Sequence, residues 1–207
     1  NVGLSWSGYA DYKDMWTVDV FDIFNDSYGV EKNNISKEYI ESSEKLNPSN
    51  RDNIIGIQSQ IWSETIRNED ILDYMLMPNI IVFSQKAWSK DPEWMKISDK
   101  SKRESTLDYE WNKFTNTIGQ RVLPIIDNIY GGLSYDLPKP GGIIENDSLY
   151  ANSAFPGLNI KYTLDGSLPD IESMNYNSPV KLNQDDIVNL RLFDNKGRGG
   201  LPIQVNK

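Results

Sequence analysis

The stretch IIGIQSQIWSETIRNEDILDYMLMP, Ile54–Pro78, decides how the chain is read, because it sets two glutamines, a tryptophan and a glutamate in a run that otherwise describes a buried strand and a following helix. Side chains two apart on a strand share a face, so Gln58, Gln60 and Trp62 are expected on one side and Ile55, Ile57, Ser59 and Ile61 on the other. On an open sheet the polar face would be solvated, and the indole would leave apolar area worth roughly 25 cal/mol per Å² in water. A parallel (β/α)8 barrel accounts for both faces. The isoleucines pack on outer helices, and the opposite face points into the barrel, where its last residues line the C-terminal mouth. Trp62 then stands at the mouth, with Glu64 on the same side if the strand geometry persists. An indole beside a carboxylate suits a sugar, whose ring offers a C–H face to an aromatic ring and hydroxyls to an ionised acceptor. The structural alternative for the same residues is a core tryptophan and a glutamate that is solvated or paired with a neighbouring Lys or Arg.

Beyond this strand, a helix is predicted from about Glu69 to Trp88, with Asn68 as N-cap, Glu69 and Asp70 in the first turn, and a kink at Pro78. Leu107, Trp111, Phe114, Ile118 and Val122 recur at steps of four, three, four and four, the stripe of an amphipathic helix facing a core. Helical periodicity stops at YDLPKPGGIIEN, where Pro138, Pro140, Gly141 and Gly142 cluster, so a boundary is placed between residues 1–137 and 138–207. After it, Leu158, Ile160, Tyr162 and Leu164 alternate with polar residues and lead into Asp165-Gly166, the preferred pair of a tight hairpin turn. Val188, Leu190 and Leu192 repeat the alternation before a Gly-rich turn, and the expected result is a small antiparallel β-sandwich. The first 50 residues read as long loops with one short helix near Ser36 to Lys45. The run DPEWMKISDKSKRES reads as a solvated connection of mixed charge.

Composition narrows the chemistry. With 207 residues the chain suits one or two globular domains, and its formal net charge of −9 disfavours a nucleic-acid or anionic-membrane partner by long-range repulsion. Cysteine and histidine are both absent. That excludes disulfides, thiolate nucleophiles, Ser-His-Asp and Cys-His catalysis and His-ligated metals, and leaves carboxylates, lysines and tyrosines for acid–base work. No apolar run approaches the length of a membrane span, so no membrane insertion is expected. The first residue is Asn1 rather than Met, which suggests a piece of a longer chain or a processed product.

The run IIGIQSQIWSETIRNEDILDYMLMPNIIVFSQKAWSKDPEW resembles the last barrel strand and helix of family-20 glycoside hydrolases, the β-N-acetylhexosaminidases and chitobiases. The resemblance extends back to GLSWSGYADYKDMWTVDVFD, similar to the family's loop before that strand, and forward through WNKFTNTIGQRVLP to PGGIIENDSLYANSAFPGLNIKYTLDGSLPD, similar to the sandwich that closes bacterial chitobiases. It implies that residues 1–137 are the C-terminal part of a catalytic (β/α)8 barrel and residues 138–207 an immunoglobulin-like sandwich. It further implies that Trp62 walls the pocket for the non-reducing N-acetylhexosamine and that Glu64 accepts hydroxyls of that sugar. The implied substrates are terminal β-linked N-acetylglucosamine or N-acetylgalactosamine, including chitooligosaccharides. The implied mechanism is substrate-assisted and retaining, outside the usual two-carboxylate scheme. The family's Asp-Glu pair lies several strands earlier, and Asp followed by Glu occurs nowhere in this sequence, so no catalytic residue is assigned here. No cofactor or metal is implied. An exported bacterial enzyme is, and the partner expected is the upstream barrel segment of the same enzyme, since a whole barrel takes about 250 residues.

The sequence departs from the family at Ser84-Gln85-Lys86-Ala87-Trp88, where relatives carry a charged pair, a change read as structural. Trp6, Tyr9 and Trp16 are weighed as walls of an outer sugar subsite against ordinary loop packing, which is preferred. Asp185 and Asp186 are weighed as calcium ligands and set aside for want of a ligand pattern. Two rivals to the enzyme reading are kept: a non-catalytic carbohydrate-binding or structural module, and a split or degraded enzyme gene.

Overall fold

A computed structural model of the chain describes residues 12–22 and 35–206. Local chemistry explains where most helices begin. Ser36 caps α2 (Lys37–Ser42) by accepting from the Tyr39 amide at 3.2 Å, within the span expected for a short helix. Asn68 caps α3 (Glu69–Leu76) by accepting from the Ile71 amide at 2.9 Å, and Glu69 and Asp70 occupy its first turn, as predicted. The helix foreseen to Trp88 is two helices, because α3 ends before Pro78 and α4 (Asn79–Trp88) restarts after it. Proline lacks the N–H and crowds the preceding turn, which separates the helices rather than bending one. Asn79 Nδ2 donates to the Met75 carbonyl at 3.3 Å across the break.

By packing, the chain divides into two units, Asn1–Tyr109 and Glu110–Lys207. In the first, α1 (Tyr12–Thr17) lies against α4, with Tyr12, Trp16, Val82, Trp94 and Leu107 buried. Trp94 is wholly buried and its ring meets that of Trp16 at 6.1 Å in a tilted arrangement. This corrects the reading of DPEWMKISDKSKRES as a solvated connection. Glu93–Lys96 forms a 3-10 turn around a core tryptophan, and α5 (Lys100–Thr117) starts at once, with Asp99 accepting from the Lys102 amide at 2.8 Å. The abundant charges of that run hid a single apolar anchor.

The segment read as a barrel strand, Ile54 to Ile61, is also corrected. Its backbone is extended at Ile54 and Trp62, yet among the described residues no strand pairs with it. Ile55 is fully exposed, and Gln58, Gln60 and Ile61 are exposed too, so neither face is covered. A strand is stabilised by ladder hydrogen bonds and by cross-strand side-chain pairs, and a lone extended segment has neither. Among the described residues the regular structure is therefore helices and antiparallel sheets.

In the second unit the predicted apolar stripe is interrupted by a π-helical turn, Ile118–Val122, followed by α6 (Leu123–Ile126). The inserted residue rotates the face, so that Ile118, Leu123 and Ile126 are buried while Val122, expected on the stripe, is only half-buried. Gly119 lies directly beneath the Pro156 carbonyl. Any Cβ there would fall 2.0 Å from that oxygen, which fixes glycine at this position.

Seven strands follow in two antiparallel sheets, ordered β1-β2-β5 and β4-β3-β6-β7. They are β1 (Gly141–Glu145), β2 (Ser148–Asn152), β3 (Asn159–Thr163), β4 (Met174–Asn175), β5 (Val180–Lys181), β6 (Val188–Phe193) and β7 (Ile203–Val205). Leu149 from one sheet meets Tyr162, Val188, Leu190 and Val205 from the other in a shared core. The β1–β2 turn, which sequence reading passed over, places Asn146 and Asp147 both at positive φ, the two-residue hairpin geometry that Asn and Asp tolerate. Asp165-Gly166 is instead not a two-residue hairpin. Gly166 does take φ +81°, but residues 164–173 separate β3 from β4, and Asp165 accepts from the Ser167 amide at 3.0 Å to shape a longer loop.

Val188, Leu190 and Leu192 bury one face of β6 as their alternation foretold. The other face is covered as well. Asn189 donates to the Gly166 and Ser167 carbonyls at 2.9 Å each, and Arg191 donates to the Gly200 carbonyl at 2.7 Å. Polar residues at these positions satisfy the backbone of overlying loops rather than facing water.

Candidate functional site

Trp62 and Glu64 lie where the extended segment turns into a 3-10 turn, Ser63–Thr65, closed by the Ile66 amide on the Ser63 carbonyl at 3.1 Å. Strand geometry stops at Trp62, so the condition under which Glu64 would keep to the same side as Trp62 is not met in this chain. Trp62 is 65% exposed and Glu64 is exposed. An exposed indole and an exposed carboxylate are available to a partner or ligand, but among the described residues nothing encloses them into a pocket. Trp16, weighed as an outer-subsite wall, is buried against Trp94, which places it in packing. Trp6 and Tyr9 lie outside the described residues. Asp186 accepts from the Asn183 amide at 2.8 Å and ties a turn, a local role that accounts for it without a metal. A cleft of about 470 Å³ opens at the edge of the second sheet beside Tyr162, Glu172, Met174 and Asp186, and contains neither Trp62 nor Glu64.

A polar cluster around Arg198 was not foreseen. Arg198, from the Gly-rich turn after β6, donates through Nη2 to Asp127 at 2.8 Å, through Nη1 to the Leu133 carbonyl at 2.8 Å, and through Nε to Asp194. Its guanidinium lies 4.7 Å from the centre of the Tyr135 ring. Asp194 also accepts from the backbone amides of Lys196 and Arg198, both at 2.8 Å. A lone arginine among glycines was the available signal, and Asp194 lies only four positions away, but the other partners, Asp127 and Leu133, are more than 60 positions away.

Burial, followed by the carboxylates of Asp194 and Asp127, pushes the Tyr135 hydroxyl well above its ordinary value, with Arg198 pulling the other way. The folded chain therefore keeps this proton where the unfolded chain has lost it. The associated stability is fully present below about pH 10 and falls as pH rises, by at most ~1.4 kcal/mol per pH unit for one group. Tyr135→Phe should flatten the loss of thermal stability between about pH 9.5 and 11 relative to the parent chain. Identical alkaline slopes in the two proteins would contradict this account.

With the geometry described, comparison with known proteins places the two parts of the chain. Residues 6–91 match the model of the glycosyl hydrolase family 20 catalytic domain, and residues 123–201 match that of the chitobiase/beta-hexosaminidase C-terminal domain. An N,N'-diacetylchitobiase of Vibrio harveyi is 34% identical over 120 residues, covering 54% of this chain and 13% of the relative. A beta-hexosaminidase of Vibrio vulnificus is 31% identical over 129 residues, covering 54% of this chain and 15% of the relative. The chain thus spans a small part of the length of these relatives. No helix of the described residues is long and apolar enough to cross a membrane. Two consecutive matches, first to a catalytic-domain model and then to a C-terminal-domain model, agree with the residues that first carried the resemblance and together support the chain as a portion of a family-20 glycoside hydrolase.

Proposed function

We propose that this chain is the C-terminal part of an exported bacterial β-N-acetylhexosaminidase, which removes terminal β-linked N-acetylglucosamine or N-acetylgalactosamine by substrate-assisted, retaining catalysis. Residues 1–137 complete a (β/α)8 barrel supplied mainly by an upstream segment of the same enzyme, and residues 138–207 form an immunoglobulin-like sandwich. Trp62 is one wall of the sugar pocket and Glu64 an acceptor for sugar hydroxyls. The acid and the acetamide-orienting carboxylate come from the upstream segment.

One observation carries this reading: the catalytic-domain match runs through Trp62 and Glu64, yet in this chain both side chains are open to solvent on a segment without strand partners. An apolar, strand-like segment left uncovered is what an incomplete barrel exposes, and it is prone to association unless the missing strands are present. The purified chain should not hydrolyse an aryl β-N-acetylglucosaminide, and activity should appear only when the upstream barrel segment is supplied and assembles with it. Robust turnover by the chain alone, shown by mass to be free of longer polypeptide, would overturn the missing-acid argument and the binding role of Glu64. Carbohydrate binding without turnover in the assembled protein would favour the non-catalytic module.

A further inference from the structure

We propose that Arg198 is the pin of a conformational strap that holds residues 127–140 flat against the 194–200 turn, so that the stretch leading into the sheets is a rigid spacer that opens and closes with the sandwich rather than a flexible linker. The proposal concerns the second packing unit alone and stands whatever sugar the enzyme takes.

The geometry is particular to a guanidinium. Three of its nitrogens reach three partners in different directions: Asp194 on its own turn, and Asp127 and the Leu133 carbonyl on the strap. Lysine has one compact ammonium and cannot span such a fork. Both carboxylates are almost completely buried, at 2% exposure each, so each depends on the shared cation for its charge partner. The turn is set in advance by the Asp194 hydrogen bonds to its own backbone, so the arginine is presented to the strap already oriented.

The rest of the strap follows the same surface. Gly131 and Gly132 take φ +89° and +100°, which turns the chain back toward the sheets, and Lys196 Nζ donates to the Gly131 carbonyl at 3.2 Å. A Cβ on Gly132 would come within 2.4 Å of that ammonium. Further on, Leu137, Pro138 and Pro140 are buried, and Gly200 sits so close to Leu137 that a Cβ would meet the leucine Cβ at 2.8 Å. Proline- and glycine-rich composition marks a linker in the sequence, but here those residues permit close approach and stiffen the path.

Amide hydrogen exchange on the full chain tests this directly. In the parent chain the Leu133 amide, which donates to the Ile126 carbonyl at 3.1 Å, should exchange at the slow rate of the β6 amides, as one cooperative unit. Exchange at Leu133 several orders of magnitude faster than in β6 would overturn the proposal without any variant. Arg198→Lys should then accelerate exchange across 127–140 by roughly tenfold or more while leaving the β1–β2 hairpin, residues 141–152, within about twofold of the parent. Unchanged exchange in the strap, or equal acceleration of strap and hairpin, would show that Arg198 contributes only general stability. Lys196→Met, which removes a peripheral contact, should accelerate the same segment by a smaller factor, and an effect confined elsewhere would also count against the strap.

Discussion

On the proposed reading, Glu64→Gln and Trp62→Ala in the whole enzyme should each lower kcat/KM for an aryl β-N-acetylhexosaminide by roughly 30- to 1000-fold, equivalent to about 2 to 4 kcal/mol of transition-state stabilisation. The two substitutions test different physics. Glutamine keeps the shape of Glu64 but removes the ionised acceptor, so hydrogen bonds from sugar hydroxyls lose their charge assistance. Alanine removes the indole face against which the C–H side of the sugar packs, and opens the pocket to water. Both residues are surface-exposed here, so neither substitution disturbs a core of this chain, and a loss of activity would be read as a loss of binding to the sugar. Near-parental kinetics for both variants, measured on protein of normal melting temperature, would return Trp62 and Glu64 to a purely structural role.

Gly119→Ala should destabilise the second unit by about 3 kcal/mol, near the upper end of the cost of overpacking, because the added methyl would sit 2.0 Å from the Pro156 carbonyl oxygen. The obstacle is backbone on both sides. A flexible side chain could move aside at little cost, whereas here either the π-helical turn or the loop before β3 must shift. For a unit of about 100 residues this corresponds to a fall of roughly 10 to 20 °C in Tm, followed through the β-sheet signal on heating. Gly56→Ala is the matched control, since no atom lies within 4 Å of its Cβ position, and it should leave Tm within a degree or two. Equal melting of the parent and Gly119→Ala proteins would mean that the close approach of 119 to 156 does not exist in solution.

Features that depend on a few neighbouring residues were legible in the sequence. The Asn68 cap, the short helix after Ser36 and the apolar alternation of β6 each rest on interactions within a turn or a strand and stand where they were expected, and Pro78 marks the right place although it separates two helices where a kink in one was expected. The resemblance to the family was legible for a related reason, since the residues that carry it, the IQSQIWSET run among them, are consecutive and lie within the matched span. Features that depend on distant partners were not. The same IQSQIWSET run has the composition of a strand but forms none here, because a strand is completed by hydrogen bonds from a neighbouring strand. Trp94 is a core residue inside a charged run, and it packs against Trp16, far away in the chain. The Arg198 cluster draws together Asp127, Leu133 and Asp194, and no local pattern in a glycine-rich turn announces which buried carboxylates it will meet. Caps, breakers and alternation are settled within a few residues by backbone sterics and nearby hydrogen bonds. Strand pairing, burial of a lone aromatic and neutralisation of buried charge are settled only when distant segments come together.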